Sequence, residues 1–233
     1  MSEEDSAKGN TIVNTASANS SETDAVSSSA SVSIDLDPTP DPDPTPESIQ
    51  TADGFTQFTN ADDVLTSQFY IKFRLMEGDD CLEVIGGNDL ANGNKRDDKF
   101  VLRGGIGECL GGKDSDTFDV IDSEDGTLIS ANRGADIITG SVSGVIYRAG
   151  KGDDVIAVSQ GKAWGDLGDD VFRGVTGEGY AEIQDYTIGE DVVELAMDGT
   201  WSKVDSGLMF TDTSRDKLML LLGINDVKQV TVV

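Results

Sequence analysis

Ala149-Gly150-Lys151-Gly152-Asp153-Asp154-Val155-Ile156 and Gly165-Asp166-Leu167-Gly168-Asp169-Asp170-Val171-Phe172 are copies of one pattern, in which glycines precede an aspartate and an apolar residue follows it two places on. Gly86-Gly87-Asn88-Asp89 is a fainter copy. Working outward, aspartates recur every nine residues at Asp80, Asp89 and Asp98, then at Asp116 and Asp125, with Gly107 in the missing place. Two residues beyond each stands Leu82, Ala91, Phe100, Cys109 or Phe118. The phase slips by two residues, resumes at Asp136 with Ile138 and Asp154 with Ile156, slips again, and returns at Asp170 with Phe172. Self-similarity at a fixed period marks a repeat architecture.

A nine-residue unit divides into a turn of about six residues and a strand of about three, with glycine supplying the positive φ that tight turns need. Two units make one coil, giving two parallel sheets joined by turns at both edges. A single coil buries too little to be stable alone, so stability comes from stacking. The expected fold is all-β: a right-handed, two-sheet parallel β-roll with a small antiparallel C-terminal cap and a disordered N-terminal tail. Phe100, Phe118, Ile138, Ile156 and Phe172 point inward as its core.

Stacking sets like charges side by side. Turns one coil apart lie about 4.8 Å from one another. One edge thereby juxtaposes Asp80 with Asp98, Asp98 with Asp116, Asp136 with Asp154, and Asp154 with Asp170. Such carboxylates repel by about 1 kcal/mol even at a water-like dielectric, and by more when shielded. Calcium resolves the conflict, because it accepts about 6–8 oxygens and flexible turns offer both carboxylates and carbonyls. The opposite edge is weaker: Asp89 stacks on Gly107 and Gly107 on Asp125, so partial or absent sites are expected there. The competing reading is a calcium-free solenoid, since Asp and Gly are common turn residues in any case.

These segments resemble the G-G-x-G-x-D-x-U-x nonapeptide of the repeats-in-toxin, or hemolysin-type, calcium-binding proteins. The resemblance covers about residues 76–174, with Arg96 and Asp114 replacing expected glycines and no aspartate in 141–147. Downstream, Ile183-Gln184-Asp185-Tyr186-Thr187-Ile188-Gly189-Glu190-Asp191-Val192-Val193-Glu194-Leu195 is similar to the segment that follows the repeats in that family. The resemblance implies a calcium shell built from aspartate carboxylates and glycine carbonyls. The matching positions are Gly78, Asp80, Gly87, Asp89, Asp98, Gly112, Asp116, Gly134, Asp136, Gly150, Gly152, Asp154, Gly168 and Asp170. It also implies a C-terminal type I export signal and a secreted, extracellular module.

Composition narrows the function further. Of 233 residues, 44 are acidic and 17 basic, a net charge of −27, which argues against nucleic acid and for cations as partners. Histidine is absent, which removes the commonest general base and every zinc site that needs imidazole. The two cysteines, Cys81 and Cys109, fall on opposite sheets in this register. No stretch has the roughly 20 apolar residues of a membrane-spanning helix, and MSEEDSAKGN lacks the apolar core of a signal peptide.

Four regions follow. Residues 1–53 carry eleven acids against Lys8 and are rich in Ser and Thr, and all five prolines lie in 38–46, so this region reads as a disordered tail and semi-rigid spacer. Residues 54–76 supply a capping strand in Gln68–Leu75, residues 77–176 the calcium-binding roll, and 177–233 a β cap with strands near 207–212, 216–222 and 227–232. Trp164 and Trp201 are assigned to packing. No H-E-x-x-H or G-x-S-x-G motif occurs, so no enzyme is expected, and a polysaccharide-acting enzyme is the weakest alternative. The function expected is calcium binding by stacked turns in a structural or binding module. The alternative is a calcium-free scaffold or adhesin. An extracellular polysaccharide or protein is the further class of partner left open.

Overall fold

The computed structural model describes residues 12–14, 30–32 and 49–233 apart from 53, 68–71 and 87; side chains before 51 and those of 67, 88, 89 and 106 are not described. Two units are distinguished, Met1–Pro44 and Thr45–Val233. In the first, Ile12–Asn14 pairs antiparallel with Ala30–Val32, so the stretch expected as a tail holds one short ladder of three residue pairs, Ile12 with Val32, Val13 with Ser31 and Asn14 with Ala30. The rest of 1–48, including the proline run, lies outside the described residues, as does the first half of the strand expected at Gln68–Leu75.

The second unit is the expected parallel β-solenoid. A short sheet stacks Val64–Ser67, Cys81–Val84, Lys99–Arg103, Thr117–Asp122, Ile137–Gly140, Val155–Val158, Val171–Gly174 and Val192–Leu195 in chain order. A longer sheet interleaves with it through Lys72–Arg74, Asn88–Asn92, Ile106–Leu110, Leu128–Arg133, Ile146–Lys151, Gly161–Leu167 and Ala181–Ile183. All of these neighbours pair in parallel. The parallel stack therefore runs past 77–176 at both ends.

Alternation along each strand aims one column of side chains inward. On the short sheet it is Leu82, Phe100, Phe118, Ile138, Ile156, Phe172 and Val193, all buried; on the long sheet it is Phe73, Ala91, Cys109, Ile129, Tyr147, Ala163 and Ile183. The two columns trade volume: Ala91 and Cys109 are small where Phe100 and Phe118 are large, and Tyr147 is large where Ile138 and Ile156 are smaller. Phe100 and Phe118 stack with ring centroids 4.8 Å apart and planes 7° apart, the separation that neighbouring strands impose. Cys81 and Cys109 stand on opposite sheets, as expected, and no disulfide joins them.

Both ends of the long sheet are closed by antiparallel pairs. Ile49–Gln50 and Phe55–Gln57 cover the first coil. At the other end Lys217–Leu222 pairs parallel to Ala181–Ile183, and Gly207–Asp212 and Gly199–Val204 continue outward as hairpins. Gly199–Val204 was not foreseen, because its Thr, Trp, Ser and Lys residues carry no apolar alternation. The strand expected near 227–232 is a 3₁₀ turn, Val227–Gln229, capped by the Asp226 carboxylate, followed by one bridge from Val232 to Val193. Asp226 offers its carboxylate to the Lys228 N–H, and this local bond competes with strand pairing.

Candidate metal corner: a ladder of buried aspartates

One edge of the roll carries an unbroken ladder. The backbone N–H of Asp63 donates to Asp80 Oδ1 at 2.7 Å, Asp80 to Asp98 at 3.0 Å, Asp98 to Asp116 at 2.9 Å and Asp116 to Asp136 at 2.7 Å. It continues from Asp136 to Asp154 at 2.7 Å, Asp154 to Asp170 at 3.0 Å and Asp170 to Asp191 at 3.1 Å. The carbonyl of each aspartate accepts a second bond from the residue that follows the next rung, as Asp98 does from Thr117 at 2.8 Å. Rungs are 17, 18, 18, 20, 18, 16 and 21 residues apart, yet the geometry repeats. Nearly all of the varying length is absorbed at the opposite edge, where Gly104–Gly105 joins one pair of strands and 123–127 the next; the last coil alone adds a residue on the aspartate side, between Ile183 and Asp191.

The carboxylates face inward. Asp80, Asp98, Asp116, Asp136, Asp154 and Asp170 are all at most 2 % exposed. In five consecutive rungs, Asp80 to Asp154, Oδ2 is buried with no hydrogen-bond partner. Space for it is made by missing side chains on the long sheet. A Cβ at Gly93 would collide with Asp98 Oδ2 and stand 2.5 Å from the Gly111 carbonyl oxygen; one at Gly111 would collide with Asp116 Oδ2 and stand 2.7 Å from the Ala131 carbonyl oxygen. A carboxyl oxygen and a carbonyl oxygen of the next coil thus both border the space that each glycine leaves open. A buried carboxyl oxygen without a donor is costly as a bare charge and is relieved by a proton or a cation.

Electrostatics agrees. Burial is the main cause that drives these carboxyls up, opposed by the bond from the preceding rung's N–H. Asp80 and Asp136 rise to about 6, Asp98, Asp154 and Asp170 to about 7, and Asp116 to about 8. Neighbouring aspartates add to the rise. The ion pairs that join successive coils, such as Arg148 with Asp166 and Arg173 with Glu194, lie on the outer faces.

The turn before each rung explains the glycine spacing. Backbone φ is positive four and two residues ahead of the six rungs from Asp80 to Asp170: Met76 and Gly78, Asn94 and Arg96, Gly112 and Asp114, Asn132 and Gly134, Gly150 and Gly152, Asp166 and Gly168. Where the second position is glycine, φ is +125° to +155°; where it is Arg96 or Asp114, φ relaxes to +76°, the left-handed helical value that an L-residue can reach. At Gly152 a Cβ would strike the Gly134 carbonyl oxygen of the coil below. The copies that break the consensus therefore keep its turn.

All the predicted aspartates except Asp89 come together in this ladder. Asp89 lies within Asn88–Asn92, beside the other edge, its backbone paired with Gly107; its side chain and Gly87 lie outside the described residues. The expected stacking of Gly107 on Asp125 does not occur. Glu108 pairs with Leu128, so the two-residue slip falls before the strand, and Asp125 stands exposed in the turn.

Two rungs escaped the sequence reading. Asp63 and Asp191 lack the glycine pairs but keep an apolar residue two places on, Leu65 and Val193. Each also satisfies its second oxygen locally: Asp63 Oδ2 accepts from the Thr59 N–H and hydroxyl at 3.0 Å, and Asp191 Oδ2 from the Thr187 N–H at 2.6 Å. The ladder is thus hydrogen-bonded at its ends and orphaned in its middle. The downstream motif forms the closing end. Asp185 accepts from the Gly165 and Asp166 N–H groups at 3.0 and 2.9 Å, and Tyr186 Oη donates to the Asp191 carbonyl while accepting from the Thr231 N–H. Trp201 packs on Phe210, and Trp164 sits on the outer face under the Arg148 guanidinium.

Among the described residues no three acidic, histidine or cysteine side chains gather around one metal-sized point. A cation at the corner would therefore draw on the carboxylates of one or two rungs and complete its shell from turn carbonyls. That is an all-oxygen donor set, suited to a hard ion such as calcium. No helix among the described residues is long and apolar enough to cross a membrane. No protein-family model matches the chain, and no curated protein is found to resemble it.

Proposed function

We propose that this β-solenoid is a calcium-stabilised scaffold of the repeats-in-toxin kind, an extracellular structural or binding module whose aspartate corner is neutralised by calcium. The observation that carries this reading is the run of five buried Oδ2 atoms, Asp80 to Asp154, without a hydrogen-bond partner. When bound, calcium supplies the positive charge that the corner lacks. The protein's own part is to hold each Oδ1 on the neighbouring N–H, turn Oδ2 toward the carbonyls of the next coil, and exclude water by stacking. Extracellular calcium, at millimolar concentration, suits the weak sites of extracellular modules, roughly 10⁻⁴–10⁻³ M. Ion binding is then linked to folding, because the unfolded chain holds no such corner.

A second reading has its own support. Carboxyls raised to between about 6 and about 8 take up protons near neutrality, so protonation could neutralise the same corner in a calcium-free scaffold. Circular dichroism of the full chain at pH 8 across a calcium titration separates them. Strand signal that grows with calcium to saturation near millimolar supports the first reading, and a spectrum that ignores calcium rejects it.

A further inference from the structure

We infer that the outer face of the long sheet, at the edge opposite the aspartates, is a binding trough for a neutral saccharide chain. The trough arises where side chains are missing. Gly126, Gly144 and Gly161 sit at the edge with φ of +94°, +76° and +91°. Gly144 leaves the room that the Asp125 carboxylate occupies, and a Cβ at Gly161 would lie 2.7 Å from the Val145 carbonyl oxygen. The resulting concavity is about 400 Å³. Its floor is the outward-facing Ile146 side chain and the glycine backbone beside it, and its polar rim is Asp125, Lys162, Tyr180 and Glu182. Lys217 Nζ stands 5.9 Å from the Tyr180 ring centroid, at the edge of cation–π range.

A second, shallower concavity of about 510 Å³ continues along the face past Leu128, which pairs in register with Ile146. Its rim carries Glu108 and Asp166 against Arg148 and Lys151. An extended ligand is therefore favoured over a compact one.

Charge selects the ligand class. The molecule carries −27 overall, yet here acids and bases alternate nearly one for one. An anionic polymer would meet four carboxylates inside a strongly negative field, and an acyl chain would strand both signs of charge without water. A pyranose chain suits the mixture: its C–H faces cover Ile146 and Leu128, which are partly exposed on this face, and its hydroxyls donate to Asp125 and Glu182 and accept from Lys162. An apolar floor with a few convergent polar groups is the usual form of such a site.

Isothermal calorimetry on the full chain in calcium-containing buffer, with cellohexaose, maltohexaose, laminarihexaose and a hexauronate as probes, tests the site. Strand content is checked by circular dichroism in the same buffer, so that loss of the fold and loss of the trough read differently. At least one neutral hexasaccharide should saturate the protein. Tyr180→Ala should weaken it about tenfold, the cost of one aromatic or charge-assisted contact. Gly126→Asn should do the same by blockage, since nothing lies within 4 Å of a Cβ there and Asn tolerates positive φ. The site is refuted if no neutral probe saturates by about 10 mM, a weaker range than any useful recognition. It is equally refuted if the hexauronate binds as well as the neutral probes, or if both variants bind like the parent.

Discussion

Asp98 both gives and receives along the corner: its N–H donates to Asp116 Oδ1 at 2.9 Å, and its own Oδ1 accepts the Asp80 N–H at 3.0 Å. One carboxyl oxygen is thereby committed to holding coils together, and only Oδ2 remains for charge compensation. A substitution that keeps the first task and changes the second separates stacking from ion binding.

Asp98→Asn is that substitution. The amide oxygen still accepts from Asp80, and the neutral amide nitrogen takes the place of the unpartnered Oδ2. Without calcium at pH 8 the variant should be more stable than the parent by about 1–3 kcal/mol, the cost of a buried unsatisfied charge. In calcium the order reverses, with apparent calcium affinity down about tenfold or more for a lost charged ligand. Thermal melts with and without calcium read both signs. Asp154→Asn should behave alike, and two variants insensitive to calcium in every respect would leave the protonated scaffold as the better account.

The pH dependence follows from the direction of the shifts. Folded-state values of about 6 to about 8 lie above the unfolded aspartate value of about 3.9. The folded state therefore binds more protons between those limits. Its stability is fully present below about pH 4 and falls as pH rises, with the loss complete above about 8. In metal-free buffer, denaturant midpoints should drop steadily from pH 5 to pH 8, and calcium should flatten the curve by stabilising the ionised form. A calcium-free midpoint that climbs with pH would contradict the burial of these groups.

The turns differ in what they tolerate. At Gly152, φ is +125° and a Cβ would strike the Gly134 carbonyl oxygen, so Gly152→Ala should destabilise by about 2–4 kcal/mol. Arg96 occupies the same place in its own turn at φ +76°, where an L-residue is only mildly disfavoured. Arg96→Gly should accordingly shift stability by less than about 1 kcal/mol in either direction. Chemical denaturation of the two variants at fixed calcium compares them directly.

The aspartate-to-apolar offset in the sequence made the ladder legible, because Asp and the residue two beyond it occupy the corner and the core column in every coil. Four features were hidden. Asp63 and Asp191 lack glycine pairs, since the end rungs satisfy their second oxygen with Thr59 and Thr187 instead. The two edges are not equivalent: a nine-residue period suggests symmetrical turns, but hydrogen bonding fixes only the aspartate edge, and the other absorbs the slips. The strand Gly199–Val204 is an exposed outer strand of the cap, so burial imposes no alternation on it. The trough at the glycine edge was invisible for another reason. Asp125, Lys162 and the pair Tyr180 and Glu182 come from three different coils, and only their pairing register brings them together.

Closure of the last coil depends on Tyr186. Its hydroxyl donates to the Asp191 carbonyl at 2.9 Å and accepts the Thr231 N–H at 3.0 Å, while its ring packs near Phe172 with centroids 6.3 Å apart. It ties the final rung to the C-terminal segment, where Val193 exchanges backbone bonds with Thr231 and Val233. Tyr186→Phe keeps the ring and removes both hydroxyl bonds, leaving the carbonyl of the buried Asp191 and the N–H of Thr231 short of one partner each. The expected cost is about 1–3 kcal/mol, concentrated at the end of the roll. Hydrogen exchange should show faster exchange at Val193, Thr231 and Val233 and unchanged protection at Phe100 and Phe118, because stacked coils open from their ends. Uniform loss of protection along the whole roll would mean that the coils unfold as one unit and that Tyr186 does more than close the end.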